Sequence, residues 1–316
     1  MHMRGYRTLL FVALIATLST ISFGQAEPKG DYVTVNGKRL WYRIEGRGAP
    51  LLLIPGGPGA SHTYFWPSIS ILSRDFRIIY FDPFGRGKSD RAANATEYTF
   101  AHDVDEIEGL RRALRLEKIN IYGQSYGAMV AQAYALKYPD SISHLILASP
   151  FHSAEAWQRG NNDTWNLELQ NHIPETWARL QEMRRAGHLS CDKEYMQAQD
   201  EIPMTQSYYF DPSNAEKTTL DINLEVYCQL AGPDADVTLG GDMASLDFRP
   251  KLKDIKAPTL IIAGRWDHLA LPRFVIQYKD LMPAARFEMF ELSGHLQFIE
   301  EPEKHRAIVR DFLMRN

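Results

Sequence analysis

A serine between two glycines is the first feature of this sequence that could carry out chemistry. Ser125 lies in "GQSYG", flanked by Gly123 and Gly127, directly after an apolar run that predicts a strand and before a predicted helix. The pattern G-x-S-x-G alone is weak evidence, because glycine and serine are both common. At a strand-to-helix turn, however, it is typical of a strained elbow that exposes a nucleophilic hydroxyl. Ser125 is therefore our candidate nucleophile.

A serine nucleophile needs a base, and the base needs a third group that orients it. The elbow architecture predicts an acid and then a histidine, in that chain order. Asp267 follows one predicted strand in "AGRWDHL", and His295 follows the last predicted strand in "LSGHL". Of the other histidines in the last quarter of the chain, His268 adjoins the acid and His305 lies in a predicted helix. We therefore predict a Ser–His–Asp triad that hydrolyses an acyl bond.

An oxyanion hole should accompany this triad. It would use the backbone N–H after the nucleophile, which belongs to Tyr126, and a second N–H from the loop after the third strand. That loop is "PGGPG", in which we predict Gly57 as the donor. A plain tight turn would use the same glycines, so this assignment depends on the elbow.

The remaining motifs give no support for a metal or a cofactor. The stretch "GRGKS" looks like the end of a phosphate-binding loop, but Asp82 stands where the first glycine of that motif belongs. There is no H-E-x-x-H and no C-x-x-C. The two cysteines, Cys191 and Cys228, could form a disulfide in an exported protein or be two small buried residues. The sequence leaves both alternatives open.

The elements that must position these residues alternate between strands and helices. Apolar runs predict strands at 76–82, 144–149, 258–264 and 286–292, and "DYVTVNGKRLWYRIEG" predicts a hairpin around its Asn-Gly turn. The alternation predicts an α/β fold with a mostly parallel, doubly wound sheet. In such a sheet reactive groups gather at the carboxyl ends of the strands, which is where the three triad candidates lie.

The middle of the chain has a different pattern. Residues 152–253 contain helical patches and no succession of buried strands, whereas the strand–helix alternation resumes after them. We therefore predict one core, made of residues 27–151 and 254–316, with residues 152–253 inserted as a helical cap.

The N-terminus predicts export. Arg4 and Arg7 precede an uncharged, mostly apolar run at 8–21, and "FGQA" places small residues at a cleavage site. This is the pattern of a secretory signal, here residues 1–26. The run is shorter than the ~18 apolar residues of a membrane anchor, and it lacks the amphipathic pattern of a core helix. We expect a secreted or periplasmic protein with no stable membrane association after signal removal.

Composition narrows the partners. The chain has 316 residues with 45% hydrophobic and 23% charged residues, which is ordinary for a globular protein. A net charge of −4 provides no basic field for nucleic acid. A small peptide or amide substrate is the expected partner, and the oligomeric state stays open.

Five motifs together resemble those of a known family. "GGPGASH", "DPFGRGKSD", "GQSYGAM", "GRWD" and "SGH" occur in order and at similar spacing in the proline iminopeptidase family of α/β-hydrolases, particularly the branch associated with the tricorn protease. The likeness covers nearly all of the chain after residue 26, and "VYCQLAGPDADVTLGG" resembles the family's late cap segment. The resemblance implies an α/β-hydrolase fold with a helical cap, and release of N-terminal residues, often proline, from short peptides.

Three positions depart from the family pattern, one of them being the position after Asp267, which is acidic in some members and is His268 here. Pro55 stands where the family usually has histidine before "GGPG". Family members bind the free α-amino group of the substrate with glutamates, and the matching cap position is Asp236, one methylene shorter. The resemblance implies substrate binding by Asp236, although an acidic turn in solvent would look the same. An esterase or amidase without amine recognition, or a ligand-binding sensor on a hydrolase scaffold, therefore remain alternatives.

Overall fold

The computed structural model describes residues 29–199 and 208–315. The predicted signal at 1–26 lies outside the described residues and stays a prediction, which N-terminal sequencing of protein from its native host would check. Among the helices that are described, none is both long enough and apolar enough to cross a membrane.

Eight strands form one sheet at the centre of the described chain. In chain order they are β1 (Asp31–Val35), β2 (Lys38–Glu45), β3 (Pro50–Ile54), β4 (Arg77–Phe81), β5 (Ile119–Gln124), β6 (Ile142–Ala148), β7 (Thr259–Gly264) and β8 (Arg286–Phe290). Their order across the sheet is β1-β2-β4-β3-β5-β6-β7-β8. The pairs β1–β2 and β2–β4 are antiparallel, and the other pairs are parallel. The predicted doubly wound, mostly parallel sheet is confirmed.

The local signals in the sequence explain these strands. Asn36 and Gly37 have φ values of 50° and 80°, the left-handed conformation that the Asn-Gly turn predicts between β1 and β2. In β3, Leu52 and Ile54 belong to one apolar cluster, whereas Leu51 and Leu53 belong to another. Because side chains alternate along a strand, the two clusters lie on opposite faces of the sheet. An unbroken apolar run is therefore a strand buried on both sides.

Helices of the core cover both faces. They are α1 (Phe100–Ala113) and α2 (Tyr126–Lys137), and after the cap α8 (Pro272–Val275), α9 (Tyr278–Leu281), α10 (Gln297–Glu300) and α11 (Pro302–Leu313). Short 3₁₀ turns lie at His62–Tyr64, Ser68–Arg74, Ala95–Glu97, Pro139–Ser141, Pro212–Lys217, Asp242–Ser245 and Leu252–Asp254. Apolar residues of α1, α2, α8 and α9 belong to the cluster on one face of the sheet, and those of α10 and α11 belong to the cluster on the other face.

Between β6 and β7 the described chain is helical. The helices are α3 (Ala154–Trp157), α4 (Asp163–His172), α5 (Pro174–Arg185), α6 (Lys193–Gln199) and α7 (Leu224–Ala231), with a π-helical turn at Gln158–Asn162. A small separate cluster of Leu169, Leu180, Tyr195 and Ala198 packs within this region. Cys191 and Cys228 form a disulfide with their Cα atoms 6.0 Å apart, which decides between the two alternatives that the sequence left open.

Candidate active site

Ser125 lies on a strained turn between β5 and α2. Its φ of 57° and ψ of −121° are unusual for a residue with a side chain. The turn is fixed because the Ser125 N–H donates to the carbonyl of Ala148, at the end of β6, over 2.9 Å. The hydroxyl makes no capping hydrogen bond to the helix that it precedes, so it is available for chemistry.

The two flanking glycines are required by close backbone contacts. A Cβ atom on Gly127 would lie 2.2 Å from the carbonyl oxygen of Ile54 in β3. A Cβ atom on Gly123 would lie 2.5 Å from the carbonyl oxygen of Gly127. Neither contact is tolerable, so α2 can start this close to the sheet only with glycine at both positions.

His295 and Asp267 lie together in loops at the same edge of the sheet. Asp267 follows β7, and His295 lies between β8 and α10. The imidazole Nδ1 is 2.9 Å from Oδ2 and 3.1 Å from Oδ1 of Asp267. Both side chains are almost fully buried. Asp267 Oδ1 also accepts the N–H groups of Leu269 and Ala270, at 2.9 and 2.8 Å. This carboxylate is thus fixed and can set the imidazole tautomer.

The backbone of His295 is held from two sides. Its carbonyl accepts hydrogen bonds from the core side chains of Gln124, at 2.7 Å, and Ser149, at 3.1 Å. Its N–H donates to the carbonyl of Tyr208, in the predicted cap, over 2.7 Å. The Tyr208 ring also meets the imidazole edge-on, with the ring centroids 5.5 Å apart. The position of His295 therefore depends on both parts of the chain.

Ser125 and His295 line one cavity of about 290 Å³ between the core and the helical insertion. Gly57 and Asp236 line the same cavity, whereas Asp267 lies behind His295. The other polar side chains of its wall come from Tyr64, Gln124, Asn161, Ser190, Gln199, Tyr208 and Tyr227. The predicted nucleophile, base, loop glycine and substrate-binding carboxylate are therefore brought together.

The two predicted oxyanion donors, Gly57 and Tyr126, lie on different elements next to the cavity and the nucleophile. The N–H of Gly56 donates to the Tyr64 hydroxyl at 2.7 Å and is therefore engaged, whereas Gly57, with a φ of 113°, borders the cavity. Tyr126 is the first residue of α2, where a helix N–H has no acceptor within the helix. The structure thus places Gly57 in the cavity wall and Tyr126 at the helix start, and their role as oxyanion donors stays a prediction.

A buried ion pair that the sequence analysis missed supports the turn between β5 and α2, where Ser125 and Tyr126 lie. The Tyr126 hydroxyl donates to Asp103 at 2.7 Å, and Arg86 makes two hydrogen bonds of 2.7 and 2.6 Å to the same carboxylate. Burial alone would lower the pKa of Arg86, but the adjacent Asp103 raises it, so the guanidinium stays charged. Arg86 belongs to "DPFGRGKSD", which the sequence analysis rejected as a phosphate loop and used as a family motif without assigning a role to the arginine.

Asp236 is placed by side chains from three segments. Its carboxylate accepts a hydrogen bond of 2.8 Å from the Tyr227 hydroxyl, and its N–H donates to the Ser190 hydroxyl at 3.1 Å. Burial raises the pKa of Asp236, and the hydrogen bonds from Tyr227 and Gln199 partly oppose that rise. Tyr227 lies in the cap segment that the sequence analysis singled out, whereas Ser190 and Gln199 gave no signal.

The charge balance of this cavity is simple. Within the described ranges, Asp236 is the only aspartate or glutamate in the cavity wall, and no lysine or arginine joins it. A charged carboxylate that is partly removed from water, with no cation nearby, loses hydration free energy. This loss is why the pKa of Asp236 rises. A positively charged ligand would relieve this cost. Over residues 29–199 and 208–315 no group of three or more His, Cys, Asp or Glu could hold a metal ion.

Comparison with known proteins identifies the family. A family model described as the alpha/beta hydrolase fold matches residues 49–170. The chain is 31% identical over 290 residues to the proline iminopeptidase of Heyndrickxia coagulans, covering 89% of this chain and 97% of that protein. It is also 31% identical to the proline iminopeptidase of Lactobacillus helveticus, covering 88% of this chain and 95% of that protein.

A solved structure agrees. The crystal structure of proline iminopeptidase from Mycobacterium smegmatis superposes with a TM-score of 0.71 at 26% identity, covering 90% of this chain and 97% of that one. Sequence, sheet topology and structural neighbour lead to one conclusion, which the resemblance of motifs predicted. The chain belongs to the proline iminopeptidase family of α/β-hydrolases.

Proposed function

We propose that this protein is a serine hydrolase of the aminopeptidase type, which releases N-terminal residues, including proline, from short peptides through an acyl-enzyme. One observation carries the proposal. A single cavity is lined by Ser125, His295 and Asp236, and Asp236 is the only carboxylate among the described residues of its wall. His295 is in turn hydrogen-bonded to Asp267. Ser125, His295 and Asp267 supply the hydrolytic chemistry, and Asp236 supplies recognition of a free amine.

The proposed chemistry follows from the hydrogen bonds. Because Asp267 holds the Nδ1 side of His295, the Nε2 atom is free to take the Ser125 proton as the hydroxyl attacks the substrate carbonyl. The N–H groups of Gly57 and Tyr126 then stabilise the negative oxygen of the tetrahedral intermediate. His295 gives the proton to the leaving amine, and water repeats the cycle on the acyl-enzyme.

Asp236 would make the enzyme an exopeptidase. Asp236 is half-buried in the cavity wall, where no described lysine or arginine joins it, so an ammonium group that binds there replaces part of the hydration that the carboxylate has lost. A peptide held by its α-ammonium at Asp236 would present the carbonyl of its first residue to Ser125. An internal residue of a longer chain has no ammonium and would bind weakly.

The substitution Asp236→Asn tests this role. It keeps the size of the side chain and removes the charge, so we expect KM for free-amine aminoacyl-arylamides to rise by at least ~10-fold, equivalent to ~1.4 kcal/mol. N-acetylated versions of the same substrates should be poor for the wild-type protein and unaffected by the substitution. Steady-state kinetics on both substrates, in wild type and variant, provides the measurement.

A matched control comes from the residue directly after the predicted insertion. Asp254 is exposed and lies outside the cavity wall, so Asp254→Asn makes the same chemical change without altering KM. Equal kcat/KM of the wild type for free and acetylated substrates would contradict amine recognition, and would leave a general amidase or esterase.

The raised pKa of Asp236 gives a second result for the same variant. The folded protein holds the Asp236 proton more tightly than the unfolded chain does, so this residue makes the fold less stable as pH rises through its raised pKa. We expect Asp236→Asn to increase the free energy of unfolding at neutral pH by about 0.5–2 kcal/mol, the usual range of stabilising substitutions. The gain should disappear below about pH 3.9, where an ordinary aspartate is also protonated.

Urea unfolding of wild type, Asp236→Asn and Asp254→Asn at several pH values measures this effect. If the carboxylate had a structural role, Asp236→Asn would lower the free energy of unfolding instead of raising it. If Asp236→Asn is less stable than wild type at neutral pH, the carboxylate is part of the scaffold rather than a site held ready for a cation.

A further inference from the structure

The Cys191–Cys228 disulfide lies in the wall of the cavity, next to the residues that hold Asp236. Both cysteines line the cavity. Ser190, directly before Cys191, accepts the N–H of Asp236 at 3.1 Å. Tyr227, directly before Cys228, donates to the Asp236 carboxylate at 2.8 Å. The covalent bond therefore joins the chain neighbours of two of the three residues that hydrogen-bond to Asp236.

Other bonds tie the segment at 190–191 to the loop that carries Asp236. The N–H of Cys191 donates to the carbonyl of Pro233, and the N–H of Ser190 donates to the Asp234 carboxylate; both distances are 3.1 Å. Arg184 makes two further hydrogen bonds, of 2.7 and 2.8 Å, to the Asp234 carboxylate. The loop itself follows α7 directly in the chain, and the Gly240 N–H donates back to the carbonyl of Ala231 at 2.6 Å. The disulfide adds a covalent link from the segment at 190–191 to Cys228 in α7, 37 positions away in the chain.

The third side chain that bonds Asp236 lies on the same side of this connection. Gln199 ends α6, which begins two residues after Cys191, and it hydrogen-bonds the Asp236 carboxylate. The Asp267–His295 pair is held differently, by core residues and by the Tyr208 carbonyl, with no hydrogen bond to either cysteine. The disulfide therefore acts on the amine-binding part of the cavity and not on the triad.

We propose that the Cys191–Cys228 disulfide positions Asp236 for substrate amine recognition, and so determines KM for free-amine substrates without taking part in bond cleavage. The inference rests on the proposed function of Asp236. When the tie is cut, α7 and the segment at 190–191 can move apart, and binding must order them again before the ammonium is held. A substrate without the ammonium never uses these contacts and is unaffected.

The experiment compares three forms of the full-length protein. They are the oxidised wild type, the wild type reduced by a phosphine, and the Cys191→Ser/Cys228→Ser variant. The phosphine converts the S–S bond to two thiols and is itself oxidised, with an oxygen from water, to the phosphine oxide. Thiol titration verifies the reduction. A fluorophosphonate probe counts intact sites, so that each kcat refers to folded enzyme.

We expect both disulfide-free forms to show KM for a free-amine arylamide raised by about 5-fold or more with kcat nearly unchanged, the pattern of lost uniform binding. The kcat/KM for an uncharged acyl ester should stay the same. In an Asp236→Asn background, reduction should raise KM no further, because the two changes remove the same interaction. The phosphine should have no effect on the Cys191→Ser/Cys228→Ser variant.

Two outcomes would overturn the inference. One is an unchanged free-amine KM after both thiols have been titrated, and the other is a parallel loss of activity on amine and ester, which would indicate a general structural role. Failure of the proposed function looks different. In that case the oxidised wild type would not distinguish free from acetylated substrates, whatever the state of the cysteines.

Discussion

Ser125→Ala is expected to lower kcat for free-amine arylamides by about 10⁴-fold or more, leaving the small residual activity that binding and an oxyanion hole provide. The substitution removes the attacking oxygen and nothing else. Alanine has the same Cβ in the same strained conformation, and the Ser125 hydroxyl caps no helix, so the fold should be retained. Steady-state kinetics together with a thermal melt provides the measurement.

A labelling experiment complements these kinetics. A fluorophosphonate should label wild type stoichiometrically and leave Ser125→Ala unlabelled, because the probe reacts with an activated serine. Stoichiometric labelling without turnover on any amide or ester would favour a ligand-binding sensor instead. If Ser125→Ala keeps the wild-type kcat, the nucleophile is a different residue and the proposed mechanism is wrong.

Asp267→Asn is expected to reduce kcat by about 10²–10⁴-fold while changing KM little. The Asn oxygen can still accept the N–H groups of Leu269 and Ala270, which the Asp267 Oδ1 atom accepts now. Its NH₂ group must then face Nδ1 of His295, which forces the imidazole proton onto Nε2. A His295 in that tautomer cannot accept the proton of the serine.

Asp267→Ala is the informative comparison. It removes the acceptor as well, and each buried N–H left unpaired costs about 1–3 kcal/mol of stability. Asp267→Asn should therefore lose activity without losing stability, whereas Asp267→Ala should lose both. A kcat for Asp267→Asn within 10-fold of wild type, against the ~10²–10⁴-fold loss expected, would show that Asp267 does not set the tautomer.

The sheet and the positions of the triad candidates could be predicted because their signals are local. Apolar runs define β5 and β7, and alternation of apolar and charged residues defines β8. The loops that follow these parallel strands lie at the same edge of the sheet. Ser125 directly follows β5, and Asp267 and His295 lie in the loops that follow β7 and β8. Chain order and strand ends were therefore enough to place them near one another.

The setting of Asp236 could not be predicted in this way. The turn "GPDAD" looks like any solvated acidic turn, and its environment comes from Tyr227 and Gln199, which belong to separate segments. The disulfide likewise depends on a Cα separation of 6.0 Å that cap packing sets. The Arg86–Asp103 pair could not be predicted, because a hydrogen bond between a loop and a helix produces no periodic pattern in the sequence.

The hydrogen bond from the His295 N–H to the Tyr208 carbonyl has an evolutionary consequence. The core contributes the proposed chemistry and the insertion contributes Asp236, so recombination that exchanged the insertion would alter substrate choice and leave hydrolysis in place. A foreign insertion must nevertheless bring its own acceptor for that N–H. A graft that matches only the ends of the exchanged segment would leave the His295 N–H without its acceptor, so that only the core would hold this backbone. We therefore expect lineages that diverge in specificity to retain a backbone carbonyl at this point while the side chains around it change.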